Sequence, residues 1–135
     1  MQNNKIRLAI RNATKDDVDA IVALSEDVYG KNAASSKAMI MGQISFFPEG
    51  QFVAVYNDEI VGHCATFITT ENIALSPHNW SDITGFGHAS RHNPNGDFLY
   101  GMEVCVSKHY RRLRIGQRLY DARCHLCKEL RVNPH

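Results

Sequence analysis

Apolar and polar residues alternate from Lys5 to Arg11, with Ile6, Leu8 and Ile10 set against Arg7, Ala9 and Arg11. A period of two predicts a strand with one buried face. Thr14-Lys15-Asp16-Asp17 then reads as a helix start, with Thr14 as N-cap and acids in the first turn. Val18, Ile21, Val22, Leu24 and Val28 carry this helix to Tyr29, and Gly30 stops it. After a polar loop, Ser36 can cap a second helix over Lys37 to Phe46, closed by Pro48-Glu49-Gly50. Met39, Ile40, Phe46 and Phe47 in this region either belong to the core or border a substrate.

Gln51 to Thr69 is the clearest hairpin. Phe52 to Tyr56 meets a turn at Asn57-Asp58-Glu59, and Ile60 to Ile68 returns, with Gly62 marking a bulge and His63 reading as a structural strand histidine. The connection from Glu71 to Asp97 is long. Ser76-Pro77 in it suggests a helix start, Trp80 and Phe86 suggest packing, and His88, Arg91 and His92 face either a substrate or solvent. Asn93-Pro94-Asn95-Gly96 turns into a fourth strand, Phe98 to Val106. Ile115, Leu119, Ala122, Leu126 and Leu130 then mark a last helix.

At 135 residues the chain makes one domain with room for a core, and 44% hydrophobic and 21% charged residues are ordinary for a globular protein. No apolar run approaches the roughly 20 residues of a membrane span, and no apolar leader follows Met1, so the expected place is the cytoplasm. Cys64, Cys105, Cys124 and Cys127 are then expected as thiols. Cys124-His125-Leu126-Cys127 has no second ligand pair at zinc spacing, and no metal is expected.

Charge singles out one place. Lys108 to Arg131 holds eight Lys/Arg against two acids, while the whole chain carries +1. Three of those cations, Arg111, Arg112 and Arg114, crowd the turn between the fourth strand and the last helix. A helix start offers unpaired N–H groups and a positive dipole end, a ready phosphate site, and Gly116 lets a ligand approach the backbone. A solvated basic helix would look the same by charge alone. Nucleic acid is the weaker partner, because the chain is near neutral overall and the helix lacks interleaved aromatics.

Val104-Cys105-Val106, the spacer Ser107 to Tyr110, and Arg111-Arg112-Leu113-Arg114-Ile115-Gly116 resemble motif A of the GNAT family of N-acetyltransferases. The family pattern is Gln/Arg-x-x-Gly-x-Gly/Ala, and Arg114 stands where the first glycine usually does. If that glycine serves close approach or positive φ, Arg114 weakens cofactor binding. More closely, three stretches resemble the GNAT domain at the N-terminus of fusions with a nitrilase-type carbon–nitrogen hydrolase: Ile10 to Thr14, Phe47 to Tyr56 and Leu99 to Val106.

The resemblance implies an α/β (α+β) fold: a mixed, mostly antiparallel sheet flanked by helices. It implies acetyl-CoA as cosubstrate, with its pyrophosphate on Arg111, Arg112, Leu113, Arg114, Ile115, Gly116 and Gln117 and its pantetheine along Val104, Cys105 and Val106. The acceptor would be a small-molecule or peptide amine, attacking the thioester directly. Glu103, the one acid within the fourth strand, is the candidate base, on the face expected to carry Gly101 and Cys105. Cys105 as a nucleophile lacks a paired histidine in the sequence pattern.

Against the family pattern, the chain from 1 to 135 reads as a single domain lacking the C-terminal strands, with neither a fifth strand nor the helix after it. An uncovered fourth strand would favour a homodimer. The alternative to an active enzyme is an inactive relative that binds CoA or oligomerises.

Overall fold

The computed structural model describes residues 7 to 134, so the expected strand start at Lys5 and Ile6 lies outside the described residues. The strands are β1 (Leu8–Asn12), β2 (Gln51–Tyr56), β3 (Glu59–Thr69), β4 (Phe98–Val106) and β5 (Asn133–Pro134). They form one sheet in sequence order, antiparallel from β1 to β4, with β5 parallel to β4. The helices are α1 (Val18–Tyr29), α2 (Lys37–Phe46), the short α3 (Glu71–Leu75) and α4 (Trp80–Thr84), and α5 (Ile115–Leu130).

Local chemistry sets most boundaries. Gly30 ends α1 at φ 82°, and Ser36 Oγ accepts the Met39 N–H at 3.2 Å to start α2. Asn57 and Asp58 both take positive φ, giving a two-residue hairpin turn, so Glu59 already belongs to β3. The expected helix start at Ser76-Pro77 is instead a helix end. Thr70 and Asn79 cap α3 and α4, and Ser76 is extended, as a residue before proline prefers.

The sheet separates two packed layers. Ala13, Val18, Ile21, Ile40, Ile44 and Val53 join α1 and α2 to one face. On the other face, Ile115 and Leu119 of α5 pack over Gly62, where an added Cβ would lie 2.6 Å from Ile115. Gly62 thus sets how closely α5 approaches, beside the bulge that leaves Val61 unpaired with β2. Gln51 is wholly buried and ties three elements, its Nε2 donating to the carbonyls of Phe47 at 2.9 Å and Thr66 at 2.7 Å.

In the long connection the expected packing of Phe86 fails and that of Trp80 holds. His92 is half-buried: its ring stacks on Phe47 at 4.2 Å and its Nδ1 accepts the Ile68 N–H at 2.9 Å. Phe86 does not pack; it is 71% exposed at φ 58°. Trp80 does anchor, through Nε1 donating to the Met102 carbonyl at 3.0 Å.

A further correction concerns the fifth strand, expected to be missing. Arg131 adopts a left-handed cap at φ 57° and turns the chain back onto β4. Asn133 and Pro134 then pair in parallel with Phe98 and Leu99. Among the described residues, no strand covers the same edge of β4 beyond Leu99.

The joint between β1 and α1 depends on Asp17, which is buried and accepts from Arg11 in a bidentate pair at 2.7 and 2.9 Å and from the Thr14 N–H at 2.8 Å. The Arg11 hydrogen bonds hold its carboxyl below the usual range. A depressed carboxyl stabilises the fold above its unfolded pKa and loses that effect as pH falls through the folded one. Asp17→Asn is therefore expected to lose about 1–2 kcal/mol at pH 7. In urea melts, that deficit should shrink as pH drops below the ordinary aspartate range.

Candidate functional site

β4 changes pairing midway. Ala65 faces Glu103 across the sheet but Thr66 faces Gly101, so Met102 is an extra, bulged residue. One inserted residue reverses the alternation. Glu103 and Cys105 do share the α1–α2 face, as expected, but Gly101 lies on the α5 face, where the Arg123 guanidinium packs against it.

Among the described residues, no strand pairs with the outer edge of the C-terminal half of β4. The Ser107 N–H donates to the Val61 carbonyl at 2.8 Å, and Val106 pairs with Gly62. The antiparallel pattern therefore turns the backbone of Cys105 and Ser107 toward β3 and that of Val104 and Val106 outward. The Tyr29 hydroxyl reaches this outer edge, donating to the Val104 carbonyl at 3.2 Å.

Beyond Val106, a short helical turn over Lys108–Leu113 leads into α5 through Arg114, at φ 56° and ψ 38°. This left-handed geometry explains why a glycine suits the position. Helix α5 begins at Ile115, so the amides of Ile115, Gly116 and Gln117 have no acceptor within it. Val104, Val106, Arg111, Arg114, Ile115 and Gly116, with Val28 and Tyr29, line one cleft of about 380 Å³. Arg111, Arg112 and Arg114 take part in no ion pair among the described residues.

Not every predicted residue joins the cleft. Arg112 is exposed outside its lining. Leu113 packs against the core, and Gln117 donates to Asp121 at 2.8 Å. The Cys105 side chain is buried beneath the edge.

Burial raises the Glu103 carboxyl, while a hydrogen bond with Ser35 pulls it down. A raised carboxyl is, once ionised, a stronger proton acceptor than a free glutamate. Cys105 is a different matter. His63 pairs with it across β3 and β4, so a histidine does lie opposite. Burial, however, pushes the thiol up to about 11 and holds His63 at about 4. A neutral thiol beside a neutral imidazole is a poor nucleophile.

Tyr29, Ser35 and Arg123 were missed by sequence reasoning. Tyr29 looked like the last apolar residue of a helix, and no periodicity reveals that its hydroxyl reaches β4. Ser35 lay in a polar loop, and Arg123 counted only as one more charge on α5.

The left-handed Arg114 carries a cost of about 1 kcal/mol relative to glycine. Arg114→Gly is therefore expected to raise the thermal midpoint. In the same protein, affinity for inorganic pyrophosphate should fall several-fold, because the cleft loses one of two lining guanidiniums. Parallel melting and calorimetric titration would check both signs.

The comparisons with known proteins agree with this geometry. The model of the Acetyltransferase (GNAT) family matches residues 18–134. The chain is 36% identical over 126 residues to the probable hydrolase YhcX of Bacillus subtilis (strain 168), covering 93% of this chain and 25% of that protein. It is 30% identical over 129 residues to the uncharacterized N-acetyltransferase YkwB of Bacillus subtilis (strain 168), covering 93% of this chain and 57% of that one. Among solved structures, the GphF GNAT-like decarboxylase in complex with isobutyryl-CoA superposes with a TM-score of 0.73 at 25% identity, over 84% of this chain and 55% of that chain. The chain thus spans about a quarter and a little over half of the two curated relatives. With strand, bulge, open edge and basic turn at the spacing of motif A, it belongs to the GNAT acetyltransferase family.

Proposed function

We propose that this domain binds acetyl-CoA in the cleft beside β4 and transfers its acyl group to a primary amine. The observation that carries this reading is the outward edge at Val104 and Val106 running directly into the unpaired amides and arginines at the start of α5. The amides of Ile115 to Gln117, with Arg111 and Arg114, would hold the pyrophosphate. The pantetheine arm would pair with the outer edge of β4 as an added strand does. Its amides meet N–H and C=O groups that no neighbouring strand takes. An N–H of that edge would stabilise the oxyanion when the amine attacks the thioester.

Glu103 is the residue proposed to take the proton of the attacking ammonium, directly or through water. It sits on the α1–α2 face, one strand position from the thioester path, and burial has already raised its carboxyl. Tyr29 is proposed to position the arm, since its hydroxyl holds the Val104 carbonyl at 3.2 Å. The acceptor would approach between α1 and α2, past Ser35. A small-molecule or peptide amine fits this reading.

The relatives support one finer proposal. The match to a quarter of a protein named as a probable hydrolase supports a domain of the kind fused to a hydrolase. A homodimer is a further proposal, in which the second copy would have to leave the outer edge of β4 at Val104 and Val106 free for the pantetheine arm. The reading of an inactive, CoA-binding relative stands as the alternative, and activity separates the two.

A thiol-release assay with acetyl-CoA and a panel of primary amines tests the proposal. Activity should rise with pH on a limb above the ordinary glutamate range, because burial raises the base. Glu103→Gln should abolish that limb and lower kcat by about 10²–10⁴-fold. Tight binding with no thiol release on any amine would leave the CoA-binding alternative in its place.

A further inference from the structure

Two carbonyls on the outer edge of β4 are held by aromatic side chains. Tyr29 Oη donates to the Val104 carbonyl at 3.2 Å, and Trp80 Nε1 donates to the Met102 carbonyl at 3.0 Å. Glu103 pairs with Ala65 and lies two residues before Cys105, so its N–H points toward β3. The Met102 carbonyl shares a trans peptide with that N–H and points the opposite way, onto the outer edge. Met102 and Val104 thus present their carbonyls on one edge, with the outward N–H of Val104 between them.

Trp80 is fixed where it stands. It opens the short helix α4, and its carbonyl accepts from Thr84 Oγ1 at 2.7 Å. Gly87 lies against both Trp80 and Met39 of α2: an added Cβ there would collide with Met39 Cε and stand 3.0 Å from Trp80 Cη2. The indole nonetheless stays 40% exposed. A hydrogen-bond donor lies near the direction of the carbonyl that accepts it. The ring therefore stands beside β4 at Met102, where a strand added to this edge would run.

The direction of the arm brings its acyl end to this ring. The start of α5 follows the C-terminal end of β4, so an arm whose pyrophosphate sits there runs from Val106 past Val104 toward Met102. Its thioester oxygen would accept the Val104 N–H, the last outward N–H before the bulge. The indole is next on that line. Met102 and Val104 are two residues apart, about 6.6 Å along the strand. Contact with the ring takes about 4 Å of that. At roughly 1.2 Å per bond, the remainder holds about two carbons beyond the thioester carbonyl.

We propose that Trp80 is a specificity-determining residue that closes the acyl end of the cleft and restricts the donor to an acyl-CoA with about two or three acyl carbons. This rests on the acyl-CoA reading above. An acetyl methyl rests against the indole. A longer straight chain meets a ring that Gly87, Met39 and the Met102 carbonyl hold in place.

Trp80 is the one tryptophan of the chain, so tryptophan emission reports on this ring alone. Titration of the whole chain with free CoA, acetyl-CoA and hexanoyl-CoA, read by calorimetry and by that emission, tests the assignment. Saturating acetyl-CoA should change the emission beyond what free CoA does. Hexanoyl-CoA should bind about tenfold or more weaker than acetyl-CoA, the scale of forcing extra methylenes into a filled apolar site. Trp80→Ala should bring the two acyl-CoA affinities within about threefold of each other. Trp80→Phe keeps a ring without the N–H and should retain part of the preference. Equal acyl-CoA affinities in wild type, the same emission with free CoA and acetyl-CoA, or a preference that survives Trp80→Ala overturns the assignment while leaving the CoA cleft intact. Failure to bind free CoA overturns the cleft and this assignment together. The wild-type affinities and emission decide the matter even if a variant does not fold.

Discussion

A backbone N–H or carbonyl on a strand edge must find a partner, and those of Val104 and Val106 have none from a neighbouring strand among the described residues. The site depends on that unfilled edge. Among the described residues β5 pairs with β4 at Phe98 and Leu99, while β3 holds the opposite side of β4 from Phe98 to Val106. The bulge at Met102 shifts the alternation, so Glu103 turns to the α1–α2 face while Gly101 turns to α5.

The rest of the molecule holds this edge in place. Gly62 lets α5 lie close beneath β3, which brings its first amides level with Val106. Trp80 fixes the bulge by taking the Met102 carbonyl, and Tyr29 takes the Val104 carbonyl from the other side. The basic turn adds charge at the start of α5, at the cost of a left-handed Arg114. Such strain at a ligand-facing turn is common where the geometry serves binding.

Much of the fold was legible because local signals agreed with the tertiary answer. Ser36, Gly30 and the Asn57-Asp58 turn each place an element boundary where simple sterics and capping require it. The bounds of α2, β4 and α5 follow from periodicity together with these signals. The long connection was less legible. Pro77 can begin a helix or follow its end, and only the extended Ser76 decides. In the site, Val104, Val106 and the α5 start were readable from motif spacing. The face carrying Gly101 was not, because a bulge has no signature in a run such as Gly101-Met102-Glu103. Nor was the short β5, which depends on a left-handed Arg131 where glycine would be the usual signal.

The central claim is that the β4 edge and the α5 start together form a CoA cleft. Amide exchange of the free protein, compared with the protein saturated with CoA, tests it most directly. The account predicts slowed exchange confined to the amides of Val104 and Val106 and of Ile115 to Gln117, with Cys105 unchanged because it already pairs with β3. Protection elsewhere, or none at millimolar CoA, would contradict it.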